Sequence, residues 1–215
     1  MSRAVTLACA SVVAAGALGA CTAAQSARVL APGKTQVSVG ANRVTATDED
    51  GVLWSGQVMV RRGLADKVDV GVILDRTPGS GEATSMLAVE PKVQLTAPGG
   101  NVTVSLALGA GVIWADGMTS DGLDAELGGY MLSPTAFLGF ELAPGAELVA
   151  APRLHFVFPD GEDDHGTAYG ASIGVRFTDP ARTWAVHPEV TYMTIEDTFV
   201  DESFLTLGVS VSAGD

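Results

Sequence analysis

Basic residues are scarce in this sequence. The chain has 12 Lys and Arg against 25 Asp and Glu, so its net charge is −13 at pH 7. A protein that binds nucleic acid needs a basic surface to meet the phosphates, and this composition therefore excludes nucleic acid as a partner. Only 17% of the residues are charged, while 47% are hydrophobic. That combination is unusual for a soluble protein that is so acidic.

Cysteines and long apolar runs are also rare. Cys9 and Cys21 are the two cysteines of the sequence. Beyond residue 20 the longest apolar run is Leu106–Ala115, about half of the ~20 residues that a membrane-spanning helix needs. The sequence after residue 20 therefore predicts no helix that crosses a membrane.

The N-terminus has the pattern of an exported protein. Arg3 precedes an apolar run of small residues, Ala4–Ala17, which is typical of a cleaved signal peptide. The following Leu18-Gly19-Ala20-Cys21 resembles the lipobox of bacterial lipoproteins, where cleavage precedes a cysteine whose thiol is acylated. The resemblance implies a signal peptide at residues 1–20 and, because Thr22 is not Asp, sorting to the outer membrane. A plain secretory signal peptide, with Cys21 incidental, is the alternative.

Cleavage before Cys21 defines the mature chain. It removes Arg3, which moves the net charge from −13 to −14, and it leaves one cysteine, so no internal disulfide can form. Acyl chains on Cys21 would make membrane lipid a partner of the protein. We interpret residues 21–34, which are rich in Ala and Ser, as a lipidated tether and residues 35–215 as one folded domain.

The stretch Val58–Leu74 indicates how that domain folds. Apolar and polar residues alternate on both sides of a polar turn that contains Gly63 and Asp66. Alternation with period two places every second side chain on the same face of a strand. The stretch therefore predicts a β-hairpin with one apolar face and one polar or small face.

The same pattern repeats along the chain and predicts ten strands. We place them at Thr35–Val44, Leu53–Arg61, Val68–Leu74, Ser85–Leu95, Val102–Ala115, Tyr130–Leu142, Glu147–Phe158, Thr167–Phe177, Thr183–Thr194 and Ser203–Ser212. Their lengths are close to the roughly 9–11 residues with which a tilted strand crosses a bilayer. We therefore expect an all-β fold, an up-and-down antiparallel β-barrel of about ten strands that spans a membrane.

The polar face of these strands combines small residues with charged ones. Opposite charges on such a face can pair across a narrow barrel lumen. The expected lumen residues are Arg61, Asp69, Glu90, Lys92, Glu141, Arg153, His155, Arg176, His187 and Glu189. Aromatic residues of the apolar face lie near the strand ends, as in the aromatic girdles of membrane barrels. One rim would carry Trp54, Trp114, Tyr130, Phe156, Phe158, Tyr169 and Tyr192, and the other Phe177 and Trp184.

Short and long connections alternate between the predicted strands. The longer ones are Ala46–Val52, Asp75–Thr84, Asp116–Gly129, Pro159–Gly166 and Ile195–Glu202, and they contain most of the acidic residues. With ten strands, both termini lie at the end with the short turns, which an anchor on Cys21 would hold at the periplasmic side. The acidic loops, above all Asp160–His165, are candidate ligands for divalent cations, although a solvated acidic loop explains them more simply.

The hairpin carries the clearest resemblance to a known family. Arg61-Arg62-Gly63-Leu64-Ala65-Asp66-Lys67-Val68-Asp69-Val70-Gly71 resembles a turn common in small porin-like outer-membrane β-barrel proteins of Gram-negative bacteria. The resemblance implies a transmembrane barrel in the outer membrane and no particular cargo. Two features differ from that family: the chain does not end on an aromatic residue, and prolines occur within strands at Pro91, Pro134, Pro152 and Pro188.

We interpret the protein as non-enzymatic, without cofactor or catalytic site, with a structural or narrow-pore role. A negative outer mouth would favour cations if the pore conducts. A histidine acid–base site in the lumen, or an omptin-like protease site at His165, is less well supported than ion pairing. The alternative from another class is a lipid-anchored periplasmic barrel that binds a hydrophobic ligand, as lipocalins do, with the Val and Leu face inward.

Overall fold

The protein consists of ten antiparallel strands. The computed structural model describes residues 25–46, 52–78, 82–119, 122–160, 165–179, 181, 183–196 and 201–214, except for the side chains of residues 46, 82, 116–119, 122–127 and 201. The strands are β1 (Thr35–Ala46), β2 (Val52–Ala65), β3 (Val68–Pro78), β4 (Glu82–Gln94), β5 (Val102–Thr119), β6 (Gly122–Ala143), β7 (Ala146–Pro159), β8 (Gly166–Thr178), β9 (Trp184–Glu196) and β10 (Asp201–Gly214). The described residues contain no helix long and apolar enough to cross a membrane.

The strands close into a single barrel. Each strand pairs with its neighbours in sequence, and β1 pairs with β10 to complete the ring. On β1, for example, Val39 pairs with Val58 of β2 and with Val211 of β10. Closure leaves no free sheet edge. The predicted fold class, an up-and-down antiparallel barrel of ten strands, is confirmed.

The connections lie at two ends, which differ in character. The loop end carries the segments after β1, β3, β5, β7 and β9. The short-turn end carries the turns after β2, β4, β6 and β8, together with the start of β1 and the end of β10. The predicted loop Asp116–Gly129 is wrong for most of its length, because β5 and β6 continue through it and pair Asp116 with Ala125. Polar residues in this extension hid its strand character from the sequence pattern.

The apolar face of the strands points outward. Val39, Trp54 and Leu108 are 50–57% exposed, whereas their polar neighbours Ser38, Ser55 and Ser105 are 0–4% exposed. A soluble barrel would show the opposite arrangement, since apolar side chains gain free energy by leaving water. The lipocalin-like alternative, which placed the Val and Leu face inward, is therefore wrong.

Aromatic side chains bound the outward apolar band. Tyr169 and Phe177 on β8, and Trp184 and Tyr192 on β9, are exposed residues that lie eight positions apart on each strand. Eight residues extend about 26 Å along a strand, or roughly 20 Å along the axis of a barrel whose strands tilt by ~40°. Apolar bands of membrane barrels are ~25 Å tall, so the spacing of the two rims fits a bilayer.

The interior has an apolar half and a polar half. The half at the loop end is filled by a buried cluster with four methionines: Val44, Met59, Ile73, Met86, Ala88, Ile113, Met131, Val157, Ala168, Met193, Ile195 and Phe204. The half at the short-turn end contains most of the buried charged residues, described below. Asp75 is an exception and a correction: the sequence placed it at the start of the loop Asp75–Thr84, but β3 continues to Pro78 and Asp75 is 2% exposed, in the half at the loop end. The lumen is therefore a packed core rather than an open channel in this state.

The four strand prolines lie on the outward side, where they displace no lumen group. The β4–β5 register passes from Val89↔Ala110 to Lys92↔Ala107 and skips Pro91. The β8–β9 register likewise skips Pro188. Proline has no N–H to donate to a ladder, so the pairing is interrupted at these positions.

Candidate functional site in the barrel lumen

A cluster of buried charges forms the centre of the polar half. The guanidinium of Arg61, 2% exposed, pairs with the carboxylates of Asp69 and Glu90. Lys92 is 1% exposed, and its Nζ lies 3.8 Å from Oδ2 of Asp69. Charges removed from water need partners of opposite sign. The cluster meets that need with two cations and two anions on three adjacent strands, β2, β3 and β4.

Gly71 makes room for this cluster. It pairs with Arg61 across the β2–β3 ladder, and a Cβ at position 71 would lie 2.9 Å from Nη2 of Arg61. The guanidinium therefore lies flat over the backbone of β3, where a side chain would collide with it. This close approach explains why glycine ends the hairpin motif.

Two further polar groups line the opposite wall. The ring Nδ1 of His155 lies 2.6 Å from the hydroxyl of Ser133, and Nη2 of Arg153 donates to Oγ of Ser172 at 3.0 Å. Nearer the short-turn end, His187 and Glu189 are 3% and 6% exposed. These residues extend the polar lining from β6 to β9.

The two lumen histidines do not form a common acid–base site. His155 of β7 is paired with Ala168 of β8, which is paired with Ile195 of β9. Ile195 lies eight residues from His187 on the same strand. The histidines are therefore at different heights in the barrel. Among the described residues, no group of three or more His, Cys, Asp or Glu is arranged to hold a metal ion.

The N-terminal segment enters this polar lumen. Residues 25–30, which we name the plug, were predicted to be part of a tether outside the barrel. In the structure Gln25 is 3% exposed and Ala27 is 0% exposed. Ala27 packs in a cluster with Ala107, Phe137, Val149 and Ala151. The described part of the predicted tether is thus largely an interior element.

Lumen side chains bind the backbone of the plug. Lys92 Nζ donates to the carbonyls of Ser26 at 2.9 Å and Arg28 at 3.2 Å. The N–H of Leu30 donates to Oδ2 of Asp69 at 2.9 Å. Two polar wall residues add contacts: Gln94 accepts from the N–H of Val29, and Ser105 donates to the carbonyl of Ala27. A buried backbone without a sheet partner is satisfied in this way.

Side chains of the plug make four further contacts, one of which is the bond from Nη2 of Arg28 to the carbonyl of Gly100 at 3.2 Å. Gln25 Nε2 donates to Oε1 of Glu90 at 2.8 Å, and Ser26 Oγ donates to Oε2 of Glu147 at 2.6 Å. Arg28 forms an ion pair of 2.5 Å with Glu141. The plug is therefore anchored on strands β3 to β7.

Residues 31–34, which we name the neck, connect the plug to β1 and pack on the β2–β3 hairpin. Gly33 N–H donates to the carbonyl of Gly63, and Gly63 N–H donates to the carbonyl of Lys34, both at 2.9 Å. A Cβ at position 63 would lie 2.0 Å from the carbonyl oxygen of Ala31. The hairpin turn thus needs glycine because the incoming chain lies against it.

Little space remains in the lumen. A cavity of about 30 Å³, room for water-sized molecules only, lies beyond the plug between Gln25, Glu90 and His155. A vestibule of about 190 Å³ opens at the short-turn end, beside the plug, and is lined by Arg28, Arg176 and Ser212 among others.

Eight of the ten predicted lumen residues are buried in the interior: Arg61, Asp69, Glu90, Lys92, Arg153, His155, His187 and Glu189. Arg176 is half-buried. Glu141 is a correction: it lies at the short-turn mouth with 33% of its side chain exposed, because it pairs with the equally exposed Arg28. Sequence reasoning missed Glu147, although it shares the inward parity of Arg153. Cys21, Gly161 and eight of the acidic loop residues lie outside the described residues: Asp48, Glu49, Asp50, Asp121, Glu162, Asp163, Asp164 and Asp197.

The fold is similar to that of solved outer-membrane β-barrels. An outer-membrane channel from Pseudomonas putida F1 has a TM-score of 0.55 at 13% identity, and the match covers 87% of this chain and 97% of the channel. The translocator domain of the autotransporter NalP from Neisseria meningitidis has a TM-score of 0.51 at 10% identity, with 83% and 88% covered. Identities this low establish the fold alone. No curated protein sequence matches the chain.

The sequence itself matches one family over most of its length. The match covers residues 20–209 and therefore includes the plug and almost the whole barrel. The chain belongs to the family described as "Putative MetA-pathway of phenol degradation".

Proposed function

We propose that the protein is an outer-membrane β-barrel with a porin-like, narrow-pore role and no enzymatic activity. The observation that carries this proposal is the outward apolar band between two aromatic rims, which is unfavourable in water and favourable in a bilayer. The similarity to solved outer-membrane barrels supports the same location. The lumen charges serve structure in this proposal, since they bind one another and the plug.

We further propose that Cys21 is acylated and that the N-terminus lies on the periplasmic side. The support is the lipobox-like sequence before Cys21 and the strand order, which places the start of β1 at the short-turn end. Acyl chains would add a second attachment to a barrel that already spans the membrane.

Membrane extraction of the Cys21→Ser variant, exported with a non-lipoprotein signal peptide, tests the barrel and the anchor separately. We expect the variant to stay in outer membranes washed with carbonate or urea and to show a heat-dependent shift on gels. Complete release into the soluble fraction would contradict a spanning barrel. Mass spectrometry of the parent chain, with the added mass of acyl chains on Cys21 or without it, tests lipidation independently.

The cargo has two candidates. The acidic loops predict selectivity for cations, which reversal potentials across planar bilayers in a salt gradient would measure. The second candidate is a small, weakly polar aromatic compound. It is favoured by the four methionines in the apolar half, whose flexible side chains can adapt to such molecules, and by the family's description. Current that phenol blocks at concentrations where glycerol does not would favour the second candidate.

A further inference from the structure

The plug is bound to the barrel but is not part of its sheet. The ring of ten strands closes through β1 and β10, and none of the contacts given above for residues 25–30 is a backbone–backbone hydrogen bond to a strand. The fold of the wall therefore does not require the plug. A segment of this kind can leave its site without opening the ladder that holds the barrel together.

The contacts recognise the backbone of a short segment that bends at residues 25, 27 and 28, more than a particular set of side chains. Five of the contacts with lumen side chains use the plug's own N–H or C=O groups, and their partners are Lys92, Asp69, Gln94 and Ser105. The site also requires a small side chain at position 27, because Ala27 is 0% exposed. By contrast Ala31, four residues later, is exposed.

The hairpin motif acquires a role through these contacts. Arg61 and Gly71 hold Asp69 in the orientation in which it accepts from Leu30. Gly63 receives the neck of the plug. The motif that marks the hairpin in the sequence is thus also the surface on which the N-terminal segment lies.

We propose that the lumen contains a binding site for a short, bent peptide segment, formed by Asp69, Glu90, Lys92, Gln94, Ser105 and Glu147, and that the plug is its intramolecular, removable ligand. Release of the plug breaks hydrogen bonds to lumen side chains and one ion pair but no ladder between strands, so it costs less free energy than unfolding the wall. Gly33 has a φ of +80° and provides a hinge next to Pro32. In the proposed pore, binding closes the periplasmic mouth and release opens it.

Peptide binding tests the site directly. A fluorescent peptide with the sequence of residues 25–34 is added to the full chain and to a variant that lacks residues 25–30, both in detergent micelles. We expect saturable binding to the deletion variant and much weaker binding to the full chain, where the tethered plug competes at high effective concentration. No binding to the folded deletion variant, or equal binding to both proteins, would overturn the proposal.

Two peptide variants form a matched pair. Ala27→Trp should weaken binding by roughly tenfold or more, because the buried site has no room for the indole. Ala31→Trp should bind like the parent peptide, because residue 31 is exposed. If both substitutions have the same effect, binding does not use the geometry of the lumen site and the proposal fails.

A thiol test covers the case in which the deletion variant does not fold. In a Cys21→Ser background, Ala27→Cys should be protected from maleimide in the folded barrel, whereas Ala31→Cys should react quickly. Equal reaction rates would overturn the proposal. The inference rests on the proposed pore, but the two can be tested separately. Peptide binding without a peptide-sensitive current in planar bilayers would contradict the pore and still support the peptide-binding site.

Discussion

Asp69 illustrates how a single buried carboxylate is satisfied from several directions. It is 0% exposed, it faces Arg61 and Lys92, and it accepts the N–H of Leu30. A buried ion costs several kcal/mol of desolvation unless such partners are present. The barrel wall and the plug therefore stabilise each other through the same side chain.

We expect Asp69→Asn to lower the free energy of unfolding by about 3 kcal/mol, because it leaves Arg61 and Lys92 with too little negative charge. Glu90 remains as a partner of Arg61, which keeps the loss near the lower end for a broken buried pair. Urea unfolding in phospholipid vesicles, followed by tryptophan fluorescence, measures the change. Glu196→Gln, which alters an exposed bond to Tyr169, is the control and should cost less than about 1 kcal/mol. Equal losses would contradict this account of the cluster.

Asp179 lies in the turn between β8 and β9, and its carboxyl group should make the stability of that turn depend on pH. The N–H of Trp184, followed by the N–H and hydroxyl of Thr183 and the N–H of Ala181, lowers the pKa of its carboxyl group below the usual value. A lowered folded pKa means that the ionised form stabilises the turn. This contribution is present above the unfolded pKa and is lost as pH falls through the folded pKa.

We therefore expect Asp179→Asn to increase hydrogen exchange at the amide of Trp184 several-fold at pH 7, since that amide donates to Asp179 at 2.9 Å. The difference from the parent chain should shrink at pH values below about 4 and disappear once Asp179 is protonated. Exchange measured by mass spectrometry at several pH values, corrected for the intrinsic rate, tests this. A difference independent of pH would indicate that charge plays no part.

At the level of elements, the strands could be predicted from the sequence and the plug could not. Alternation of apolar and polar residues identifies all ten strands, because successive side chains point to opposite sides of the wall. One side is apolar, as a lipid-facing surface requires, and the other lines the polar lumen. The extension of β5 and β6 was missed where polar residues such as Asp116 and Glu126 interrupt that alternation. Outside the apolar band both faces of a strand can be polar, so the alternation of apolar and polar residues no longer identifies the strand.

The plug leaves no periodic trace in the sequence. Most of its contacts use backbone groups, which every residue type provides, and its six residues are small or mixed in character. Ion pairing between lumen charges was expected from Arg61, Asp69 and Lys92. Their second role as partners for residues 25–30 depends on where the chain enters the barrel, and only the three-dimensional structure gives that.

The two glycines of β2 provide an element-scale test of the neck. A Cβ at Gly63 would lie 2.0 Å from the carbonyl oxygen of Ala31, whereas nothing lies within 4 Å of one at Gly56. We expect Gly63→Ala to cost about 1–3 kcal/mol through overcrowding, and Gly56→Ala to be neutral or stabilising by up to about 1 kcal/mol. Urea midpoints of the two variants measure this. A neutral Gly63→Ala would mean that the neck does not lie on the hairpin.

At the level of the whole molecule, the barrel separates three environments. Apolar side chains face outward, methionines and aliphatic residues fill the lumen at the loop end, and ions with the plug fill it at the short-turn end. The lumen is therefore closed at two levels by different means. Release of the plug would open the charged level, while passage beyond it requires the flexible methionine side chains to move aside.

The aromatic rims predict where the proposed bilayer lies on this barrel. Trp54 lies at the loop end and Trp184 at the short-turn end, and both are at least 50% exposed on the outward face. In vesicles, we expect each to be quenched several-fold more strongly by lipids brominated near the headgroups than by lipids brominated near the bilayer centre, since such residues prefer the interface. Chains that keep one tryptophan, with Trp114 and the other replaced by Phe, isolate each signal. Strong quenching from the bilayer centre would place the rims at the wrong depth, and no quenching from any lipid would mean that the apolar band does not meet a membrane.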